Sequence, residues 1–172
     1  VIVFERRIGS LERLFLAPLR LPALLAGKLL GGMAFGLTVT LVVLVVSLTV
    51  FGSTGTNWLM LVLALLLSAT AFSALGAFVS VAVKEVFEAQ TLANFIRFPM
   101  MFLGGVFVPL ASMPVWLQIL ARLFPLTYSV EALRAALSGG TWSTAALDLG
   151  ALVAFSVILF LLAAHTLGRR IE

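Results

Sequence analysis

Residue types that commonly perform chemistry are scarce in this chain. It has no cysteine, which excludes disulfides, thiolate metal sites and cysteine nucleophiles, and it has one histidine, His165. The seven Asp and Glu residues are scattered and give little support for a metal site or for paired acid–base groups. A phosphate-binding loop of the form G-x-x-x-x-G-K-[ST] is absent, because Gly27-Lys28 lacks the upstream glycine and the following Ser or Thr. We therefore expect no enzyme activity, no metal and no cofactor on this chain.

The composition is typical of a protein embedded in a bilayer. Hydrophobic residues make up 62% of the 172 residues, charged residues make up 10%, and the mean hydropathy is +1.21. Soluble domains are about 45–50% apolar and about 25% charged. The formal charge is +4, but the basic residues flank apolar runs and form no stripe, which indicates membrane topology and no nucleic-acid partner. The sequence predicts an all-α membrane protein.

Four apolar segments are long enough to cross the membrane. A helix needs about 20 apolar residues to span the hydrocarbon, where all its backbone groups must be paired internally. Residues 29–83 contain no charged side chain, and a cluster of turn-forming residues at 52–57 divides them. The predicted spans are about 29–51, 58–82, 92–110 and 147–168. Residues 1–4 are interpreted as the end of an earlier span, so we expect the sequence to be a fragment of one longer transmembrane domain.

The distribution of Lys and Arg predicts the orientation of the spans. Residues 5–28, the turn at 84–97 and the tail after residue 168 lie on one side of the membrane in this prediction, and they hold five, two and two basic residues. The 52–57 loop and the 110–146 region lie on the other side, and together they hold two basic residues. Because basic residues concentrate in cytoplasmic loops, both ends of the sequence are predicted to lie in the cytoplasm of a multi-pass plasma-membrane protein.

Residues from about 110 to 140 are predicted to form an outer helical hairpin. Pro114 suits the start of a first short helix, and Pro125 is predicted to end it. Thr127 is the predicted N-cap of a second helix. Glu131 and Arg134 lie one turn apart on that helix, which is predicted to end at Gly139-Gly140. Both helices are too short to span, so the hairpin is predicted to be re-entrant or interfacial.

A short charged segment, residues 5–18, precedes the first complete span. On a helix its apolar residues share one face, and its charged residues lie away from that face. Such a helix can rest on anionic lipid. The carboxylates of Glu5 and Glu12 would be repelled there, so the mixed charges favour docking against another protein.

Three motifs resemble the ABC-2 type permeases, the membrane subunits of ATP-driven exporters that include the daunorubicin-resistance type. The first motif is Glu5, Arg6, Gly9, Ser10, Leu11, Glu12 and Leu14, followed by Ala17-Pro18. The second is Asn94, Phe95, Phe98, Pro99, Met100, Met101, Phe102, Leu103, Gly105, Phe107 and Pro109. The third is Met113, Pro114, Trp116, Leu117 and Gln118, then Pro125, Leu126, Thr127, Tyr128, Glu131, Ala132, Leu133 and Arg134. Ser10, Arg7 and Gly104 depart from the family's common residues, Thr, an acidic residue and Ser.

The resemblance implies a six-helix permease subunit, of which this chain holds the last four helices. It implies that residues 5–18 form a coupling helix that docks into an ABC ATPase, and that Pro18 ends this helix before the first span. ATP and Mg²⁺ would be bound by that ATPase. A second permease copy, giving a homodimer, would complete the translocation path, whose outer end the hairpin closes. The implied function is ATP-driven export of a hydrophobic, amphipathic or lipid-linked substrate such as a drug or antibiotic, with multidrug resistance as one outcome.

Several features have a structural alternative. The break between Pro99 and Pro109, with Gly104-Gly105 between them, is either a functional kink or the ordinary use of Pro and Gly in membrane helices. Glu88 and Arg97 are expected to reach the membrane interface, as His165 is. Asp148 is expected to begin the last span and to interact with the positive end of its helix dipole.

Two other classes of membrane protein compete with the exporter interpretation. An ion-coupled secondary transporter or channel would carry ionisable residues in the middle of its spans and repeated broken helices. Here charges lie near span ends, and one span is broken. A membrane-anchored scaffold, with the charged segment resting on lipid, is the third possibility.

Overall fold

A computed structural model describes residues 21–51, 55–83 and 85–168, and every regular element within these ranges is helical. The α-helices are α1 (Leu21–Phe51), α2 (Trp58–Ala82), α3 (Val86–Leu103), α4 (Val115–Ala121), α5 (Pro125–Leu137) and α6 (Trp142–Gly168). A 3₁₀ turn, Leu110–Ser112, lies between α3 and α4. The all-α prediction is confirmed for these ranges. The coupling segment predicted at residues 5–18 lies outside them.

Among the described residues, two helices are long and apolar enough to cross a bilayer. These are α2, with 25 residues, and residues 142–167 of α6, with 26. Large apolar side chains point away from the protein, among them Phe35 on α1 and Leu147 on α6, which are 74% and 83% exposed. Water would oppose such exposure, whereas lipid tails would not. The total of four spans stays a prediction.

Helix α2 is the centre of the bundle and packs against α6, α5 and α1. Its buried residues include a succession of small side chains, Ala64, Ser68, Ala71, Ala74 and Ala77. Small residues let helix backbones approach closely, which is how membrane helices gain packing energy when lipid supplies no hydrophobic drive. Between α1 and α2, the Thr70 hydroxyl donates to the Met33 sulfur at 3.4 Å.

The start of α2 is fastened to the turn between α5 and α6. The Asn57 side chain caps α2 by accepting from the Met60 N–H at 3.2 Å. The Asn57 N–H donates to the Ala136 carbonyl of α5 at 2.8 Å. Gly139 has a φ of +71°, and a Cβ there would lie 2.6 Å from the Gly55 carbonyl oxygen. The ends of α1 and α5 and the starts of α2 and α6 therefore lie at one end of the bundle.

Candidate functional site: a broken helix and a helical hairpin

Helix α3 begins with a charged cap and is interrupted near its end. At its start, the Glu85 N–H donates to a Glu88 carboxylate oxygen at 3.3 Å, so Glu88 contributes to a capping box. Pro99 lies inside the helix, where its missing N–H removes one backbone hydrogen bond. The helix ends at Leu103, and the Gly104 N–H closes the last turn on the Met100 carbonyl at 2.8 Å. The chain cannot continue straight from α3 into the hairpin.

Gly104 and Gly105 bring the end of α3 against α5. A Cβ on Gly104 would lie 2.6 Å from the Met100 carbonyl oxygen and 2.8 Å from the Leu126 side chain. Gly105 has a φ of +80°, which favours glycine. Its carbonyl accepts a hydrogen bond of 3.0 Å from the Arg134 guanidinium. α5 therefore contacts the break at two points, through Leu126 and Arg134.

Pro109 begins the hairpin. It precedes the 3₁₀ turn, and the Ser112 hydroxyl donates back to its carbonyl at 2.7 Å. Pro114 occupies the N-cap position of α4, and Gln118 donates to the Met113 carbonyl at 2.9 Å. The buried residues of this first arm are Leu110, Met113 and Ala121, with Leu103 and Leu117 packed against them.

The turn between α4 and α5 corrects two predictions. α4 ends at Ala121, and Pro125 is the first residue of α5, so Pro125 begins the second helix and does not end the first. Thr127 was predicted as N-cap, but Phe124 occupies that position. Proline is favoured at the first helical position because its φ suits the helix and its missing N–H is not needed there. The buried Thr127 hydroxyl instead donates to the Ala121 carbonyl at 2.5 Å.

Tyr128 and Glu131 lie on α5 near α6. The Tyr128 hydroxyl donates to the Arg122 carbonyl at 2.9 Å, and its ring lies 5.8 Å from that of Phe155 on α6. Glu131 is half-buried and close enough to Asp148 on α6 to interact with it electrostatically, as is Arg122. The Thr127 and Tyr128 hydroxyls both donate to carbonyls at the end of α4, which joins the second arm of the hairpin to the first.

The first arm of the hairpin presents an apolar outer surface. Trp116 is 63% exposed. The other exposed apolar residues of this surface are Val115, Ile119, Leu120 and Leu123. α3 likewise turns an aromatic row outward, formed by Phe87, Phe95, Phe98 and Phe102. We call these four residues the phenylalanine row.

Other predicted residues fall at different places. Asn94 is half-buried on α3, and Arg97 lines a cavity of about 420 Å³ between α2 and α3. His165 lies in the last turn of α6. Asp148 was predicted at the positive end of the last helix, but α6 begins at Trp142, and a helix dipole acts mainly within the first turn. The dipole explanation of Asp148 is therefore wrong.

Sequence reasoning missed the Arg134–Gly105 bond. It paired Arg134 with Glu131, one turn away, whereas the guanidinium contacts a carbonyl 29 residues earlier in the chain. Two features of the sequence indicate it: a basic residue near the end of α5, and a glycine pair that ends a helix and so has carbonyls outside the helical hydrogen-bond pattern. Within the described ranges, no group of three His, Cys, Asp or Glu residues is placed to hold a metal ion.

Comparison with known families accounts for this arrangement. The sequence pattern of the ABC-2 type transporter family matches residues 1–138, from the charged segment to the end of the hairpin. The chain belongs to the ABC-2 type transporter family. It is 31% identical over 159 residues to the inner membrane transport permease YadH of Escherichia coli K12, covering 92% of this chain and 61% of that permease.

Other relatives agree with the assignment. The putative transport permease ycf38 of Cyanophora paradoxa is 30% identical over 152 residues, 82% of this chain and 50% of that protein. Nodulation protein J of Rhizobium leguminosarum bv. viciae is 29% identical over 119 residues, 67% of this chain and 46% of that protein. This ABC-2 chain spans about half to three-fifths of the length of these relatives. No solved structure matches it.

Proposed function

We propose that this chain is part of the permease subunit of an ABC exporter, driven by ATP hydrolysis on a separate ATPase. The observation that carries the proposal is the family match over residues 1–138, which includes both the charged segment and the hairpin. The chain itself lacks a phosphate-binding loop. Binding of ATP and Mg²⁺ therefore belongs to the partner.

The proposed topology has four membrane crossings with both ends of the chain in the cytoplasm. The crossings are α1, α2, α3 with the break that follows it, and α6. The bias of basic residues, nine against two, supports this orientation. The bundle end that carries Asn57 and Gly139 would then be the outer end, and Glu85 would lie on the cytoplasmic side.

The hairpin formed by α4 and α5 is proposed to be re-entrant at the outer end. Its two arms have 7 and 13 residues, too short to cross about 30 Å of hydrocarbon. The apolar surface around Trp116 supports immersion in the outer leaflet, and the Arg134–Gly105 bond ties the hairpin to α3. A movement of α3 would therefore reach the hairpin directly.

The proposed partner on the membrane side is a second copy of the permease. The phenylalanine row supports this, because it is an exposed aromatic surface on a helix that contacts the rest of the bundle little: Phe95 is 76% exposed. Two permease copies could enclose a path, and its apolar walls would suit a hydrophobic, amphipathic or lipid-linked substrate, with drug export as one instance. A homodimer is the simplest form of this assembly.

The proposed coupling element is residues 5–18, with Glu5, Arg6, Glu12 and Leu14 as its contacts with the ATPase. Coupling requires a rigid connection between the ATPase and the bundle. Co-purification of the ATPase with the permease tests this. We expect Glu12→Lys combined with Leu14→Asp to abolish co-purification, because the first change inverts a charge and the second places a charged group where an apolar one would contact the ATPase.

Arg7→Glu is the charge-change control, since Arg7 is not one of the proposed contacts, and it should leave ATPase binding intact. Normal ATPase binding and normal ATP-dependent transport by the Glu12→Lys/Leu14→Asp variant would overturn the coupling proposal.

The second candidate function is ion-coupled transport, and Asp148 is the observation that favours it. This carboxyl group lies in the second turn of a helix long enough to span, and it is half-buried beside Glu131. Ionisable groups within membrane helices often mark ion pathways. Asp148→Asn separates the two functions: ATP-driven transport would persist in this variant, whereas ion-coupled transport would be lost.

A further inference from the structure

A cavity of about 570 Å³ lies between α1, α2 and α5. It exists because glycines occupy positions where other residues would project side chains. At Gly36 on α1 and Gly76 on α2, an added Cβ would meet nothing within 4 Å. Its volume is within the range of about 300–1,000 Å³ that is usual for small-molecule sites.

The described residues of the lining are uncharged. They are mostly apolar, with Leu65, Phe72 and Leu133 among the walls, and they include several hydroxyl groups but no Asp, Glu, Lys, Arg or His. Apolar walls with a few polar groups are typical of ligand sites. A charged ligand would lose its hydration here without gaining a counter-ion. The lining therefore favours a neutral molecule.

Ser68 is the hydroxyl that distinguishes this cavity from an ordinary packing gap. Its side chain is 8% exposed, and its Oγ has no hydrogen-bond partner among the described residues. Two other lining hydroxyls are satisfied by their own helices: Thr40 donates to the Gly36 carbonyl at 2.8 Å, and Ser129 to the Pro125 carbonyl at 3.1 Å. Buried polar groups are nearly always paired, so Ser68 has unused hydrogen-bonding capacity facing the cavity.

The depth of Ser68 indicates which kind of molecule would use that capacity. It lies ten residues into α2, about 15 Å along the axis from Trp58, which is half of a hydrocarbon core about 30 Å thick. The ester groups of a resident phospholipid lie near the bilayer surface and would not reach this depth. A polar group at mid-membrane belongs to a molecule with hydroxyl or carbonyl groups along an apolar body.

We infer that the cavity between α1, α2 and α5 binds an uncharged amphipathic molecule, whose hydroxyl or carbonyl group pairs with Ser68 at mid-membrane depth. This rests on the proposed export function in one respect: the occupant is cargo and not a permanent lipid. The glycines supply room for the apolar body, and Ser68 selects molecules with a central polar group.

Photolabelling of the full-length permease in membranes tests the inference without an ATPase. The probes are diazirine-bearing methyl 12-hydroxystearate, the same ester without the hydroxyl group, and a diazirine phosphatidylcholine. We expect the hydroxylated probe to label peptides of α1, α2 and α5 at a concentration about 5- to 10-fold lower than its deoxy analogue needs, since a buried unpaired hydroxyl disfavours the latter.

Two pairs of variants sharpen the assay. Ser68→Ala should remove the preference between the two esters, whereas Ser156→Ala, at a buried serine of α6 that already donates to the Leu152 carbonyl at 2.7 Å, should preserve it. Gly36→Leu should fill the cavity and abolish labelling by both esters. Gly150→Leu, at another helical glycine with nothing within 4 Å, should not. Leucine favours a helix more than glycine does, so both glycine variants should fold.

Equal labelling by the two esters in the wild-type protein, or a preference that survives Ser68→Ala, would overturn the inference. Phosphatidylcholine labelling of these peptides that Gly36→Leu abolishes and Ser68→Ala leaves unchanged would assign the cavity to a resident lipid and also overturn it. Failure of the wild-type permease to co-purify an ATPase, with the hydroxyl preference retained, would contradict the export function alone.

Discussion

Gly104→Ala tests the contact between the broken helix and the hairpin. Gly104 has a φ of −72°, which alanine adopts without strain, so any cost of the substitution comes from space. The new Cβ would lie 2.6 Å from the Met100 carbonyl oxygen and 2.8 Å from two carbon atoms of Leu126. The backbone oxygen cannot move aside freely, and overpacking of this kind costs about 1–3 kcal/mol.

Gly150→Ala is the matched control and should have the opposite sign. It lies within α6, where a Cβ meets nothing within 4 Å. Alanine there should stabilise the helix by about 0.5–1 kcal/mol. The two Gly→Ala variants should therefore differ in stability by about 1.5–4 kcal/mol, although the chemical change is identical.

The assay is unfolding of the purified permease followed by tryptophan fluorescence, with Leu126→Ala included to form a double-mutant cycle. Removing the Leu126 side chain should relieve part of the clash, so the coupling energy between the two sites should be at least about 0.5 kcal/mol. A Gly104→Ala protein as stable as Gly150→Ala, or additivity with Leu126→Ala, would refute the close packing of α5 on the end of α3.

Two further predictions concern the same hairpin. Arg134→Leu removes the donor to the Gly105 carbonyl. Because Arg134 is exposed, the free energy of unfolding should fall by about 1 kcal/mol, and hydrogen exchange at residues 104–109 should become faster. Arg134→Lys should have an intermediate effect on both. Unchanged exchange would contradict the bond. Thr127→Val removes the hydroxyl bond to the buried Ala121 carbonyl, which still accepts from the Phe124 N–H at 3.1 Å, and should cost about 0.5–1.5 kcal/mol in the unfolding assay, whereas Thr91→Val, at an exposed threonine bonded within its own helix, should change stability by less than about 0.5 kcal/mol. Equal losses for the two threonines would mean that the Ala121 bond does not hold the turn.

Features with a local cause could be predicted from the sequence. The start of α2 follows from Asn57, a capping residue, and Trp58 at the end of a charge-free run. The arms of the hairpin follow from the positions of Pro114 and Gly139, which begin and end helices for reasons contained in a few neighbouring residues. Element boundaries of this kind need no knowledge of distant contacts.

Features with a distant cause could not be predicted in this way. The Gly139–Gly55 approach and the Arg134–Gly105 bond join residues 84 and 29 positions apart, and no periodicity marks either partner. Thr127 shows a subtler failure: threonine is a good N-cap, but Pro125 defines an earlier start of α5, and the hydroxyl then pairs with the preceding helix. The partner of a hydroxyl depends on the tertiary fold as much as on its neighbours.

The central claim is that ATP hydrolysis on a partner chain moves the bundle of this ABC-2 permease. A cysteine at the exposed Ala111 tests it most directly, because these 172 residues contain no other cysteine and no substrate need be known. The measurement is the rate of labelling of Ala111→Cys by a membrane-impermeant maleimide applied from outside the cell or from the cytoplasmic side of inverted vesicles.

The proposal predicts labelling from outside only, at a rate that changes when the ATPase is trapped with ATP and vanadate, and no such change when Glu12→Lys/Leu14→Asp is combined with the cysteine. Labelling from the cytoplasmic side, or an outside rate that is the same with and without the trapped ATPase, would contradict it.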